Sequence, residues 1–255
     1  MFEELLAKAP KDITLSTTFD ADRAAAANAV QGTLTDGMCL VCNDKGYIVS
    51  VVDGRLVASE CECVKKRRVT RRIRLSGLAP MLSAYTFDSY ETTAEWQKKA
   101  LDSAKRYVAD GKGWFVIVGK PGTGKTHLCT AICGALIEAG KDVRYMLWRE
   151  EAPRLKALVT DRDQYDRMMD ELKRCDVLYI DDFWKGTVTD ADINLTFELL
   201  NARYNDERKR TIISGERSIE QILAVDEAIG SRIYQRSAGY RIKTDGGNYR
   251  LGHNA

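Results

Sequence analysis

No apolar run in the sequence approaches the roughly 20 residues that cross a bilayer. The first residues, Met1 to Leu6, lack the basic segment and long apolar stretch of a secretion signal, so the expected compartment is the cytoplasm and no membrane partner is expected. There is no internal repeat and no low-complexity tract, and 44% hydrophobic with 30% charged residues excludes a fibre or a disordered chain. A net charge of +2 is too small to argue for nucleic acid, so that argument must rest on where the basic residues sit. A disulfide framework is also missing. The cysteines number seven, an odd count, and four of them cluster in the first quarter of a chain without an export signal. Metal ligation explains that cluster better.

What is present divides into three segments. Residues 1–38 form an N-terminal segment with short helical stretches near Phe2 to Ala9 and Asp20 to Gln31. Residues 39–75 hold the cysteines and then a basic run, Lys65, Lys66, Arg67, Arg68, Arg71, Arg72 and Arg74, with no acidic residue among them. A boundary is expected at Ser76 to Pro80. Residues 76–255 alternate helical patterns with short apolar runs, which predicts an α/β domain with a parallel sheet flanked by helices. Strands are expected at Trp114 to Val118, Val143 to Met146, Val177 to Ile180 and Thr211 to Ser214. One helical face carries Tyr165, Met168, Met169 and Leu172, another Ile193, Phe197, Leu200 and Tyr204. Cys129, Cys133 and Cys175 read as core packing.

Gly119-Lys120-Pro121-Gly122-Thr123-Gly124-Lys125-Thr126 matches the phosphate-loop pattern in full and lies between an expected strand and an expected helix. Its glycines let the backbone turn so that several N–H groups face a phosphate at the positive end of a helix. Lys125 would reach the β- and γ-phosphates of ATP, and the Thr126 hydroxyl would bind Mg²⁺. About fifty residues on, the apolar run Val177-Leu178-Tyr179-Ile180 ends in Asp181 and Asp182. Asp181 would hold the Mg²⁺ and Asp182 would polarise the attacking water. Aspartate is shorter by one methylene than the glutamate usual at the second position, which predicts slow hydrolysis.

Cys39 and Cys42 are followed by Cys61 and Cys63, with two expected strands around the turn pair Asp53-Gly54 between them. That is a zinc-ribbon layout. Four thiolates satisfy the tetrahedral preference of Zn²⁺ and leave no open position for water, so the expected site is structural.

With these pieces placed, the chain resembles the bacterial and phage helicase loaders of the DnaC/DnaI type, within the P-loop AAA+ (ASCE) ATPases. The resemblance takes in Tyr85-Thr86-Phe87-Asp88, both phosphate-site motifs, Asn201-Ala202-Arg203-Tyr204, Thr211 to Ser214, Gly230 to Arg236 and Asn248-Tyr249-Arg250. It covers residues 39–255 well and 1–38 poorly, and is nearest the short phage-type members with a cysteine-rich segment ahead of the ATPase domain. It implies a protein that binds a hexameric replicative helicase of the DnaB type and delivers it onto single-stranded DNA under ATP control, with self-association in the ATP state. It also implies an arginine supplied by a neighbouring subunit, for which Arg232 and then Arg236 are the matching positions. Arg250 matches an arginine that contacts nucleotide within its own subunit. After Thr211 to Ser214 the resemblance calls for a polar residue, commonly asparagine, and this sequence has Glu216.

The basic run could track a DNA backbone, and Tyr85 or Phe87 could stack on bases. Two other readings remain open at this level. One is a transposition helper ATPase of the IstB kind acting on duplex DNA, and the other is a zinc adaptor for which nucleotide is a switch with little hydrolysis.

Overall fold

The computed structural model describes residues 17–34 and 38–247, arranged as two compact units that divide between Thr70 and Arg71. The expected helix at Phe2 to Ala9 lies outside the described residues. In the first unit, helix α1 (Thr17–Ala29) precedes the cysteines, and β1 (Tyr47–Val52) pairs antiparallel with β2 (Arg55–Glu60). Asp53 and Gly54 both take positive φ at the turn, as a two-residue hairpin of that handedness requires. Asn28 fastens α1 to the hairpin, its amide nitrogen donating to the Val49 carbonyl at 2.8 Å while its amide oxygen accepts from the Val49 N–H at 2.9 Å. Helix α2 (Glu62–Ser76) carries the basic run. Its Arg67 is tied at 2.9 Å to Asp44, Arg68 to Glu60 and Lys65 to Glu62, whereas Lys66, Arg71 and Arg74 are exposed.

The second unit is an α/β fold on a five-stranded parallel sheet. Its strands are β3 (Trp114–Val118), β4 (Val143–Leu147), β5 (Val177–Phe183), β6 (Arg210–Gly215) and β7 (Arg241–Lys243), in the spatial order β4-β5-β6-β3-β7. β3, β5 and β6 are buried almost throughout, as strands covered on both faces must be. The helices are α3 (Ala79–Leu82), α4 (Glu95–Asp110), α5 (Lys125–Glu138), α6 (Trp148–Ala157), α7 (Arg162–Arg174), α8 (Asp190–Tyr204), α9 (Ile219–Val225) and α10 (Glu227–Arg236). After β3 the chain runs to the far edge and fills back through β5 and β6. The carboxyl ends of β3, β5 and β6 therefore lie side by side, and a crevice forms there.

The face of α7 buries Tyr165, Met169 and Leu172 in the core, with Met168 packed against it. The face expected for α8 is rotated: Leu195, Leu199, Leu200 and Arg203 are buried and Phe197 is exposed. An arginine at this depth overrides a pattern read from apolar residues alone. Cys129, Cys133 and Cys175 are buried.

Arg203 is fully buried, and its guanidinium donates to the carbonyls of Leu172, Lys173, Cys175 and Arg210 and to the Thr211 hydroxyl, at 2.6–3.2 Å. These are the orphan acceptors at the C-terminus of α7 and the start of β6, where a cation is favoured. Replacing it strands several buried carbonyls. Arg203→Met is expected to lose about 3 kcal/mol or more in urea unfolding, and Arg203→Lys to recover little, since an ammonium lacks the planar fork. A loss under about 1 kcal/mol would contradict this role.

Candidate nucleotide site and zinc module

The phosphate loop joins β3 to α5. Gly119 has φ +144°, and a Cβ there would meet the Thr244 hydroxyl at 2.0 Å; Gly124 has φ +81°. Only glycine fits both positions. The loop is braced by the Gly119 N–H donating to the Gly215 carbonyl at 3.0 Å and by the Thr123 hydroxyl donating to that of Thr244 at 3.1 Å. Lys125 opens α5 and is 7% exposed, with its ammonium folded onto the carbonyls of Gly119 at 2.9 Å and Lys120 at 2.7 Å. Burial lowers its pKa, against the pull of Glu216, Asp182 and Asp181.

Asp181, 55 residues from Thr126, accepts from the Thr126 hydroxyl at 3.4 Å. It also accepts from the Ser214 hydroxyl, from the Tyr145 hydroxyl at 3.3 Å and from the Asp182 N–H at 3.0 Å. Burial and the adjoining Asp181 carboxylate raise the Tyr145 pKa, so its phenol stays protonated and donates. A buried carboxylate beside a threonine hydroxyl is an oxygen donor set that fits Mg²⁺, which would neutralise phosphate charge there. Tyr145 and Ser214 are parts of the site that pattern reading missed, because neither belongs to a spaced motif.

β5 runs three residues further than expected. Its pairing with β6 shifts between Ile180 and Phe183, where Asp182 takes φ +52° and Trp184 φ +53°. The bulge turns the Asp182 side chain into the crevice, where Lys185 pairs with it at 3.3 Å and with Glu216, just beyond β6, at 2.9 Å. A cavity of about 420 Å³ is lined by Pro121 to His127, Asp182, Lys185 and Glu216, and at its other end by Tyr85, Tyr90 and Gln97. Tyr85 stacks on His127 with centroids 4.9 Å apart. The structure thus gathers Gly122, Thr123, Gly124, Lys125, Thr126, Asp182 and Glu216 around one space, with Asp181 beside them.

Arg232 and Arg236 are not among the residues lining it. Arg232 packs over the rings of Phe197 and Tyr204 and donates to the Asn201 side chain at 3.2 Å. Arg236 reaches the carbonyls of Asp206, Glu207 and Lys209. Arg250 lies outside the described residues.

In the first unit the sulfurs of Cys39, Cys42, Cys61 and Cys63 all lie within 4.8 Å of one another. Cys39 is 3.9 Å from Cys61 and Cys42 is 3.5 Å from Cys63. Zn–S bonds of about 2.3 Å set a tetrahedron edge of about 3.8 Å, so the cysteines fit zinc. Burial raises the Cys42 pKa, but donation from the Gly46 N–H and the neighbouring thiols outweighs this and brings it to about 7, while burial pushes Cys63 up to about 12. Asp44, at φ +60°, fixes the knuckle by accepting from the Cys39 N–H at 2.8 Å.

The family model described as IstB-like ATP binding protein matches residues 42–255. The phage-like element PBSX protein XkdC of Bacillus subtilis (strain 168) is 32% identical over 230 residues, 84% of this chain and 85% of that protein. The replicative helicase loader DnaC of Escherichia coli (strain K12) is 25% identical over 170 residues, 65% of this chain and 69% of the loader. The crystal structure of the DnaC helicase loader matches with a TM-score of 0.57 at 25% identity, covering 64% of this chain and 98% of that one. The AAA+ architecture expected from the sequence is therefore the one observed, and the chain belongs to the family of IstB-like ATP binding proteins.

Proposed function

We propose that this protein is an ATPase that loads a hexameric, DnaB-type replicative helicase onto single-stranded DNA during DNA replication, acting in the cytoplasm. The observation that carries the reading is the joining of the phosphate-loop Thr126 to Asp181 within a fold shared with the DnaC helicase loader over 98% of that chain. The backbone from Gly119 to Thr126, Pro121 included, cradles the phosphates, and Lys125 binds their outer oxygens. Thr126 and Asp181 would hold Mg²⁺, which would supply charge neutralisation there. A water oxygen bonds to the γ-phosphorus as the bridge to the β-phosphate breaks, ADP takes the electron pair, and Asp182 accepts the water proton. Turnover is slow because Asp182 is one methylene shorter than the glutamate usual at its position, and partners stimulate it.

In this reading residues 76–255 form the ATPase domain, residues 1–38 meet the helicase, and residues 39–75 form the zinc module and basic linker, with the exposed Lys66, Arg71 and Arg74 facing DNA. Self-association with ATP bound lets Arg232, with Arg236 as second choice, reach a neighbour's γ-phosphate, while Arg250 contacts nucleotide in its own subunit. The test is ATP hydrolysis with and without single-stranded DNA and the helicase. The rate is expected to rise several-fold with both. Mixing Lys125→Ala with Arg232→Ala subunits, each inactive alone, is expected to restore part of it, because the first supplies the arginine and the second an intact pocket. Stimulation by duplex DNA without helicase would instead favour a transposition helper, a reading kept by the IstB-like family model. Nucleotide binding without turnover under every condition would leave the zinc adaptor.

A further inference from the structure

Lys185 belongs to no sequence motif, yet it is built into the nucleotide crevice with unusual care for a lysine on a loop. The residue before it, Trp184, is 1% exposed, and its indole N–H donates to Thr196 at 2.9 Å while the ring stacks on Phe183. Arg217 closes the loop from the other side, donating to the Trp184 carbonyl at 2.9 Å and the Gly186 carbonyl at 2.6 Å. Between these anchors the Lys185 ammonium reaches Asp182 and Glu216. It lines the same cavity as Lys125 and Thr126, and it is one of the charges that Lys125 feels.

Asp181, Asp182 and Glu216 gather at the phosphate end, where, among the described residues lining the cavity, Lys125 is the one lysine besides Lys185. Such a site would resist the additional charge that ATP carries over ADP. Lys185 offsets this. Its hydrogen bond to Glu216, with that to Asp182, raises its pKa and keeps it a cation. The Asp182 and Glu216 side chains are each about one-third exposed, although the Glu216 Oε1 that meets the ammonium is buried, so the Asp182 contact is the looser of the two and the ammonium can exchange that oxygen for another at small cost.

We propose that Lys185 is a γ-phosphate sensor: its ammonium leaves Asp182 and Glu216 for the terminal phosphate of ATP, which selects ATP over ADP and frees the Asp182 carboxylate for the attacking water. ADP offers no oxygen at that position, so the resting pairs persist. The inference rests on the crevice being an ATP site, and its test separates the two. Dissociation constants for Mg-ATP and Mg-ADP are measured by calorimetry on the full chain. Lys185→Met is expected to weaken ATP about tenfold or more while ADP stays within about twofold, and Lys185→Arg to keep much of the preference. An ATP-to-ADP ratio unchanged in Lys185→Met would overturn the sensor and leave a structural ion pair. Should Lys185→Met lose ADP and its helical circular dichroism together, Glu216→Gln carries the test in an intact chain. Released from one carboxylate, the ammonium then strengthens ATP several-fold over ADP, and an unaltered ratio sinks the inference. A wild-type chain that binds neither nucleotide would instead reject the ATP site itself.

Discussion

Replacing Lys125 by alanine is expected to weaken Mg-ATP binding by about a hundredfold or more and to bring hydrolysis to background, whereas Asp182→Asn keeps ATP binding and loses about a hundredfold in turnover. The contrast follows from where the two side chains sit. Lys125 already lies inside the loop, held by the Gly119 and Lys120 carbonyls, and its ammonium needs only to swing outward to meet phosphate. It is desolvated before any ligand arrives, so a phosphate replaces two carbonyls rather than a full hydration shell. Asp182 contributes no attraction to phosphate, so amidation does not weaken affinity, while the proton acceptor is lost. The chain should remain folded in both cases, because neither side chain packs in the core. Calorimetry for binding and phosphate release for turnover resolve the pair. Asp182→Asn hydrolysing ATP at the wild-type rate would remove Asp182 from the chemistry.

Much of this site is legible in the linear pattern, because the phosphate loop demands a particular context. A five-residue apolar strand ending at Gly119 and a helix opening at Lys125 satisfy it, and both elements lie within a residue of where the sequence puts them. The acidic strand is half legible. Its apolar run marks Val177 to Ile180, but the register shift that aims Asp182 depends on left-handed backbone at two non-glycine residues, which periodicity does not signal. β7 is invisible for another reason. Three residues, Arg241–Lys243, none buried, acquire strand geometry only by hydrogen bonding to the edge of β3. Helix α6 contains Pro153, a residue disfavoured in helix interiors, so its pattern does not announce a helix. Lys185 and Tyr145 reach the crevice through a bulge and a neighbouring strand, so no spacing in the sequence could associate them with Lys125. Glu216 stands out in the sequence only as a departure from the resemblance, and the structure gives it a partner in Lys185.

Zinc removal should have the other large effect, and it should be confined to the described residues of the first unit. Among those residues the buried side chains are few, Ala24, Cys42, Asp44 and Cys61, and β2 is exposed along its whole length. A two-stranded hairpin with so little apolar burial is marginal in water, and zinc on the four cysteines would provide what the core does not. Structural zinc binding is worth about 10–16 kcal/mol at neutral pH, more than so little apolar burial in the hairpin can supply. The purified chain is therefore expected to carry one zinc. Stripping it with a strong chelator, or replacing Cys42 and Cys61 together by serine, should abolish slow amide exchange from Tyr47 to Glu60. Mg-ATP affinity is the internal control, because every residue of the phosphate site belongs to the second unit. Readding Zn²⁺ should restore protection in the chelated wild type and not in the double variant. A chain that holds no zinc by elemental analysis, or a hairpin whose amides stay protected without it, would show that the four thiols do not form a structural metal site.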